Sequence, residues 1–513
     1  MADSKSVPAL PVYPVAAAAA GIILYFFHFT FVGLLADFTH DDLMNLTGSW
    51  RVPLWRHLFE VVFFFLPSET YRPVASVFYR IFFELFGFTP LPFRVACYLV
   101  LLANLALAWA IAYRLTKSWR PATLTALIFA YHGQFWTLYM STGFCYDLLC
   151  YFFYAAAFLY YLNGRARGIH LRPGRIAAWC AIYILCLGSK EMAVSLPVVM
   201  LAYETLESPP RGWGWLTREA RVPLIGGAMT ALFVAGRMMG SGALSTMEAY
   251  RPVFSLETYL SHAGHWLSEA LYDPRPHTLT IAVSLLLAAP VVSRSKTLRL
   301  SFVWMAVGIL PVAFIPQRGI AQAYIPAYAL ALFAAIAAHD MLARVPGRSA
   351  ILFGVIPAIL FLWHSRYGPL DFAAMNEPGA KIRAVYEQLS LLQPAFPRDG
   401  RVLFARDPFP DNDWASTFLV YLYSREQSVQ SLPLKEWLKQ PDLSERVDFD
   451  LVLSYESGNL LQCDERAFQQ VAIKDLPRRH CEPIRIAYPA DAGRERIQSH
   501  RHEIFGIEYR PSP

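Results

Sequence analysis

Apolar and polar positions along this chain alternate on the scale of whole helices rather than of single residues. Apolar runs approaching the roughly 20 residues that a helix needs to cross a bilayer recur near 12–36, 95–113, 121–138, 143–162, 175–188, 192–206, 222–239, 278–292, 300–316, 322–341 and 349–364. Short polar loops separate them, so the pattern predicts about eleven spans. The run 175–188 is short and with 192–206 reads as a hairpin that does not fully cross. The stretch 12–36 is too long for a signal-peptide core and reads as an uncleaved first span.

Beyond about Ser365 the composition becomes that of a soluble protein. Ile382, Val385, Leu389 and Leu392 recur at helical spacing. The runs 402–405, 418–423, 449–455 and 484–488 read as strands. The expected architecture is therefore an all-α polytopic membrane domain over 1–365, followed by a small soluble α/β domain over 366–513.

Composition supports this division. Of 513 residues, 55% are hydrophobic and only 16% charged, which excludes an ordinary soluble enzyme. The formal charge of +6 does not point to nucleic acid, because Lys and Arg are spread over alternate loops instead of gathering on one face. Loops 114–120, 165–175, 211–221, 294–299 and 344–348 are the basic ones, and the positive-inside rule makes them cytoplasmic. The N-terminus is then cytoplasmic, and 37–94, 139–142, 188–191, 240–277, 317–321 and 365–513 lie outside, across what reads as a bacterial inner membrane. Within the long outside loops 37–94 and 240–277, the segments 50–66, 76–88 and 256–272 read as helices lying in the interface.

Seven cysteines divide the same way. Cys97, Cys145, Cys150, Cys180 and Cys186 fall in or beside apolar runs, where a thiol behaves as a small hydrophobe. Cys463 and Cys481 lie in the soluble part and are candidates for a disulfide if that part is outside the cytosol.

Candidate chemistry begins where the first span ends, in Asp37-Phe38-Thr39-His40-Asp41-Asp42. Adjacent carboxylates at the edge of hydrocarbon are costly to desolvate and need a partner or a use. They either cap the helix that follows or act in a reaction. Arg72, Lys190 and Arg318 fall on the same predicted side, each at or near a span end. A carboxylate base together with fixed cations suits a reaction in which a hydroxyl loses its proton and a phosphate departs. The bland alternatives are a Lys190–Glu191 pair, and Arg72 and Arg318 reaching for lipid headgroups. Asp147 is a second acidic candidate or, preferably, the N-cap of its helix. His262, His265 and Glu269 share a helical spacing but lack a zinc-binding motif, and an ordinary amphipathic face is the simpler reading. Gly212-Trp213-Gly214 has neither the strand nor the spacing of a nucleotide site.

Several short motifs, in order, resemble the C-type (GT-C) membrane glycosyltransferases that use polyprenyl-phosphate sugars, and look closest to the protein O-mannosyltransferase branch. They are His40-Asp41-Asp42; Ser68-Glu69-Thr70-Tyr71-Arg72-Pro73; Phe129-Ala130-Tyr131-His132; Asp147-Leu148-Leu149; Ser189-Lys190-Glu191 and the residues to Pro197; and Arg318 with Tyr324-Ile325-Pro326. The resemblance covers roughly residues 12 to 345. It implies that Asp41 is the general base, that Asp42 orients it or helps to bind the acceptor, and that Arg72, Lys190 or Arg318 receives the phosphate. His40, Tyr71, Asp147, Glu191 and Tyr324 are implied as supporting residues. The donor would be a polyprenyl-phosphate sugar, and the acceptor a hydroxyl of a protein, lipid or glycan. Some members need a divalent cation and others do not. Two departures stand out: Gly133 follows His132 where relatives often have Pro, and Thr137 stands near the place of a common acidic residue. An O-antigen polymerase or ligase would carry its large loop between late spans, whereas here the acidic loop follows the first; a transporter often shows two-fold internal repeats and interrupted midplane helices, and neither of these is visible here.

Overall fold

A computed structural model of the protein describes residues 11–67, 72–239, 251–273, 275–293, 295–316, 319–393, 396 and 398–487. Among them, six helical segments are long and apolar enough to cross a membrane: Val12–Leu35, Pro90–Thr116, Thr142–Ala166, Arg221–Met239, Lys296–Ala313 and Ile320–Met341. A seventh arises if Ile351–Tyr367 and Phe372–Leu392, bent by 55° at their junction, are taken together. This is a membrane protein, but about eleven spans are not reached by this criterion. The stretch 121–138 is the clearest difference. Tyr131 and His132 adopt extended backbone, with φ of −150° and −153°, and end the helix Trp119–Ala130 after 12 residues. Twelve residues rise only about 18 Å, short of the roughly 30 Å hydrocarbon core. The stretch 192–206 likewise divides into a 3-10 turn, Glu191–Ser195, and the 12-residue helix Leu196–Glu207.

The helices expected within 37–94 and 240–277 form as Leu54–Val62, Pro73–Phe86 and Leu256–Ala270. The last is tied to the bundle beneath it. His262 Nδ1 lies 2.6 Å from the Ala313 carbonyl, and His132, stacked on Tyr272 with ring centres 4.2 Å apart, lies 3.0 Å from the Ala270 carbonyl.

The chain divides into two compact units. One holds residues up to Ala36 and Gly48–Asn376; the other holds Asp37–Thr47 together with the chain from Glu377 onward. The second unit carries strands β1 (Arg401–Arg406), β2 (Gln430–Pro433), β3 (Arg446–Val447), β4 (Leu451–Glu456), β5 (Asn459–Cys463), β6 (Val471–Ala472) and β7 (Pro483–Ala487). Five form one sheet in the order β2-β1-β4-β5-β7, parallel from β2 to β4 and antiparallel beyond, while β3 and β6 pair separately. Central β1 and β4 are buried as continuous apolar runs, Val402-Leu403-Phe404 and Leu451-Val452-Leu453, as strands covered on both faces require. The amphipathic helix buries Ile382, Val385, Leu389 and Leu392 as expected. Gln388 on the same helix donates to the Gly458 carbonyl and accepts from the Leu460 amide, holding the β4–β5 turn.

One strand expectation is overturned. The run 418–423 lies in a helix, Ala415–Ser424. Asn412 Oδ1 accepts from the Trp414 and Ala415 amides at 3.1 and 2.9 Å in the turn that leads into that helix. Ala415, Leu419 and Leu422 then fall on one buried face at helical spacing.

Cys463 and Cys481 form the disulfide expected of them, 18 residues apart, and Cys463 sits in the core of the sheet with Leu403, Val452 and Phe468. Replacing both with Ala is expected to cost the tail about 3 kcal/mol. Thermal unfolding followed in detergent reads this directly, and an unchanged melting temperature would refute it.

Candidate active site

Asp42 is fully buried at the start of the helix His40–Arg51. The amide and the hydroxyl of Thr39 both donate to its Oδ2, at 2.7 and 2.9 Å, while the Thr39 carbonyl accepts from the Leu43 amide. The carboxylate reaching back to the Thr39 amide is one half of a capping box, and with it Asp42 closes the first turn of the helix. Asp41, one residue earlier, is half-buried and forms no hydrogen bond or ion pair among the described residues. Burial, and then the neighbouring Asp42, raise its carboxyl above the ordinary value of 3.8.

The tail covers this loop. Asp37 is buried and ion-paired to Arg383 at 3.1 Å. The His40 ring meets Phe409 and Trp414 edge-on, with centres 5.5 and 6.2 Å apart. Burial and the nearby Lys381 lower the basicity of His40, which keeps it neutral at neutral pH. Gly379 allows this approach: a Cβ there would lie 3.0 Å from the Asp37 Cβ and 3.1 Å from the Phe38 carbonyl oxygen.

The second group of candidates lies in the larger unit. Arg72 begins the helix Pro73–Phe86 with left-handed backbone (φ 59°), a strained conformation for a residue with a Cβ. Its guanidinium pairs with Glu191 at 3.0 Å and lies 4.0 Å from the centre of the Tyr146 ring. Lys190, at the end of the helix Pro173–Ser189, pairs with Asp147 at 2.5 Å and lies 5.0 Å from the same ring. The pairing is thus crossed: Lys190 does not pair with its neighbour Glu191. Asp147 is not the N-cap of its helix either. That position is Phe144, without a side-chain cap, and Asp147 spends its charge on Lys190. The two pairs differ in access. The side chains of Lys190 and Asp147 are each 3% exposed, whereas Arg72 and Glu191 are 12% and 25% exposed.

Tyr324 is buried and stacked on Phe129, with ring centres 4.7 Å apart, which makes it part of the aromatic packing of the helices. Ser68, Glu69, Thr70, Tyr71 and Arg318 lie outside the described residues.

No protein-family model matches the chain, and a comparison with curated proteins returns no match. Among the solved structures that resemble it are two at 13% identity. One is ArnT from Cupriavidus metallidurans bound to undecaprenyl phosphate, with a TM-score of 0.46 over 87% of this chain and 94% of that one. The other is the same protein in the apo state, with a TM-score of 0.44 over 86% and 93%. At that level of similarity nothing about this chain follows from either.

Among the described residues, no three His, Cys, Asp or Glu side chains stand together in a way that could hold a metal ion, and no step below is routed through one. Sequence reasoning missed Tyr146, Lys381, Arg383, Phe409 and Trp414. Tyr146 carried a signal, standing beside Asp147 at the start of a span. The tail residues carried none, since nothing local ties them to a loop more than 300 positions away.

Proposed function

We propose that this protein is a C-type membrane glycosyltransferase. It moves a sugar from a polyprenyl-phosphate carrier to an acceptor hydroxyl of a protein, lipid or glycan on the extracytoplasmic side. The observation that supports this reading most is the Arg72–Glu191 and Lys190–Asp147 pairing about Tyr146. Two cations held by two carboxylates in a largely water-excluded setting are preorganised donors, and such donors stabilise charge that develops in a transition state.

In the proposed reaction the acceptor oxygen attacks the anomeric carbon in line. Its proton passes to a carboxylate base, the role that the sequence motifs give to Asp41, the bond between the anomeric carbon and the phosphate oxygen breaks, and the electron pair leaves on the lipid phosphate. Configuration at the anomeric carbon is inverted. Arg72, the more open of the two cations, is the direct phosphate donor. Lys190, sealed against Asp147, fixes the geometry around Tyr146 and adds its field. Charge-assisted donation to phosphate strengthens as that charge grows. Arg318 remains the third phosphate candidate on sequence grounds, and the protein O-mannosyltransferase-like branch rests on the sequence motifs alone.

The direct test uses purified protein in detergent or nanodiscs with polyprenyl-phosphate monosaccharides and hydroxyl acceptors. Time-dependent release of free polyprenyl phosphate, with sugar appearing on an acceptor or on water, is expected for at least one donor. An absence of release across a panel of polyprenyl-phosphate hexoses and pentoses would overturn the reading.

A further inference from the structure

A second concentration of positive charge lies in the larger unit, where four helices end together: Pro90–Thr116, Cys145–Ala166 and Leu196–Glu207 at their C-termini, and Lys296–Gly308 at its N-terminus. They enclose a cavity of about 310 Å³ lined by Arg114, Lys117, Arg165 and Glu207. A smaller one of about 120 Å³ shares Arg114, Lys117 and Glu207 with it and adds Lys296.

The charges there do not cancel. Arg165 is spent on fully buried Glu204, donating at 3.0 and 3.2 Å, and Glu204 also accepts from the Tyr161 hydroxyl at 2.6 Å. Lys296 pairs with Glu207 at 3.3 Å. Arg114 donates through Nε to Asn163 Oδ1, a neutral amide, and no ion pair among the described residues balances its charge. Lys117 forms no ion pair among the described residues. Burial and adjacent Arg114 lower its basicity, while Glu207 offsets this in part. Lys117 also ends its helix in left-handed backbone (φ 55°), a position that glycine ordinarily takes.

Basic residues at helix C-termini can serve merely to complement the helix dipole. That account covers Arg114 and Arg165. It does not explain why a lysine occupies a glycine conformation, or why two unbalanced cations line a space of roughly ten waters' volume.

We propose that this cavity binds the phosphate of an anionic glycerophospholipid headgroup. The apolar part of its wall decides between a lipid and a soluble anion. Leu115, Leu206 and Leu300 line the smaller cavity and Leu162 the larger one, so a glycerol backbone and the start of an acyl chain gain contacts that free phosphate would not. These loops are also the ones that the positive-inside rule makes cytoplasmic, the leaflet where anionic lipids attract basic residues. The site is independent of the proposed sugar transfer.

The test compares the wild-type protein with Lys117→Gly, Arg114→Gln and Lys117→Arg by native mass spectrometry in mixed micelles of phosphatidylglycerol and phosphatidylcholine. Wild type and Lys117→Arg are expected to retain phosphatidylglycerol selectively. Lys117→Gly and Arg114→Gln are expected to bind it at least tenfold more weakly. In lipid-free detergent Lys117→Gly should melt at or above the wild-type temperature, because glycine suits the backbone there, and this separates loss of the lipid from loss of the fold. Equal retention of both lipids by the wild type, or retention unchanged in both weakened variants, would overturn the proposal. So would complete displacement of the lipid by millimolar inorganic phosphate, which would make this a soluble-anion site.

Discussion

Asp41→Asn is expected to slow sugar transfer by two to four orders of magnitude, the usual contribution of a positioned general base, and to leave the protein folded. The second half of that expectation follows from the sign of the shift. Burial and Asp42 hold the Asp41 carboxyl above its ordinary value of 3.8. An acid whose folded pKa is raised favours the folded state while protonated, and that contribution is lost as pH rises through the folded pKa. At neutral pH the ionised Asp41 therefore costs stability, and a neutral amide of the same shape relieves the cost. The Thr39–Asp42 cap is untouched by the change.

The same shift places the acid limb of the pH–rate profile. Transfer by the wild type should fall as pH drops through a value above 3.8, since the base must be ionised to accept the proton. The measurement is initial rate against pH for the wild type, alongside thermal melts of both proteins. Equal turnover by Asp41→Asn and wild type would remove Asp41 from the base role. A variant that is inactive because it no longer folds would contradict the sign argument.

Breaking the Lys190–Asp147 pair carries the largest expected effect on stability. With each side chain 3% exposed, removing one partner leaves an uncompensated charge in a nearly dry site. Lys190→Met or Asp147→Leu alone should therefore cost about 3–5 kcal/mol. Combined, the two substitutions remove both charges and should recover most of that loss, because well-packed apolar residues often replace a buried pair at little cost. Turnover should not recover with stability, since the positive field beside Tyr146 would still lack one of its two sources. Melting temperatures of the two single variants and the double variant, read with transfer rates, separate the contributions. Single variants as stable as the wild type would show that the pair is not buried as the structure has it, and a double variant with full activity would remove Lys190 from the proposed chemistry.

Much of this was legible in the sequence. Helix periodicity is local, so Ile382, Val385, Leu389 and Leu392 marked the buried face of their helix without knowledge of what it meets. The Cys463–Cys481 bridge followed from composition, as the two cysteines outside the apolar part. Where expectation failed, the deciding cause was usually still local but of another kind. The run 418–423 is helical, preceded by a turn in which Asn412 accepts from the Trp414 and Ala415 amides, although its Phe, Leu, Val and Tyr suit a strand equally well. Extended backbone at Tyr131 and His132 broke a run whose hydropathy alone read as continuous.

What the sequence determined by itself is the membrane character of the chain and the placing of charged residues at the ends of its apolar runs, because desolvation cost depends on residue type and run length alone. Only the tertiary structure decided how those charges are used. It assigned Lys190 to Asp147 in place of Glu191, gave Glu191 to Arg72, buried Asp42 in a cap and left Asp41 without an ion pair among the described residues. It also joined the 37–47 loop to the tail through Asp37 and Arg383. An ion pair is chosen by which helix ends meet and by how much water is shut out between them. Neither quantity is encoded by the spacing of residues along the chain.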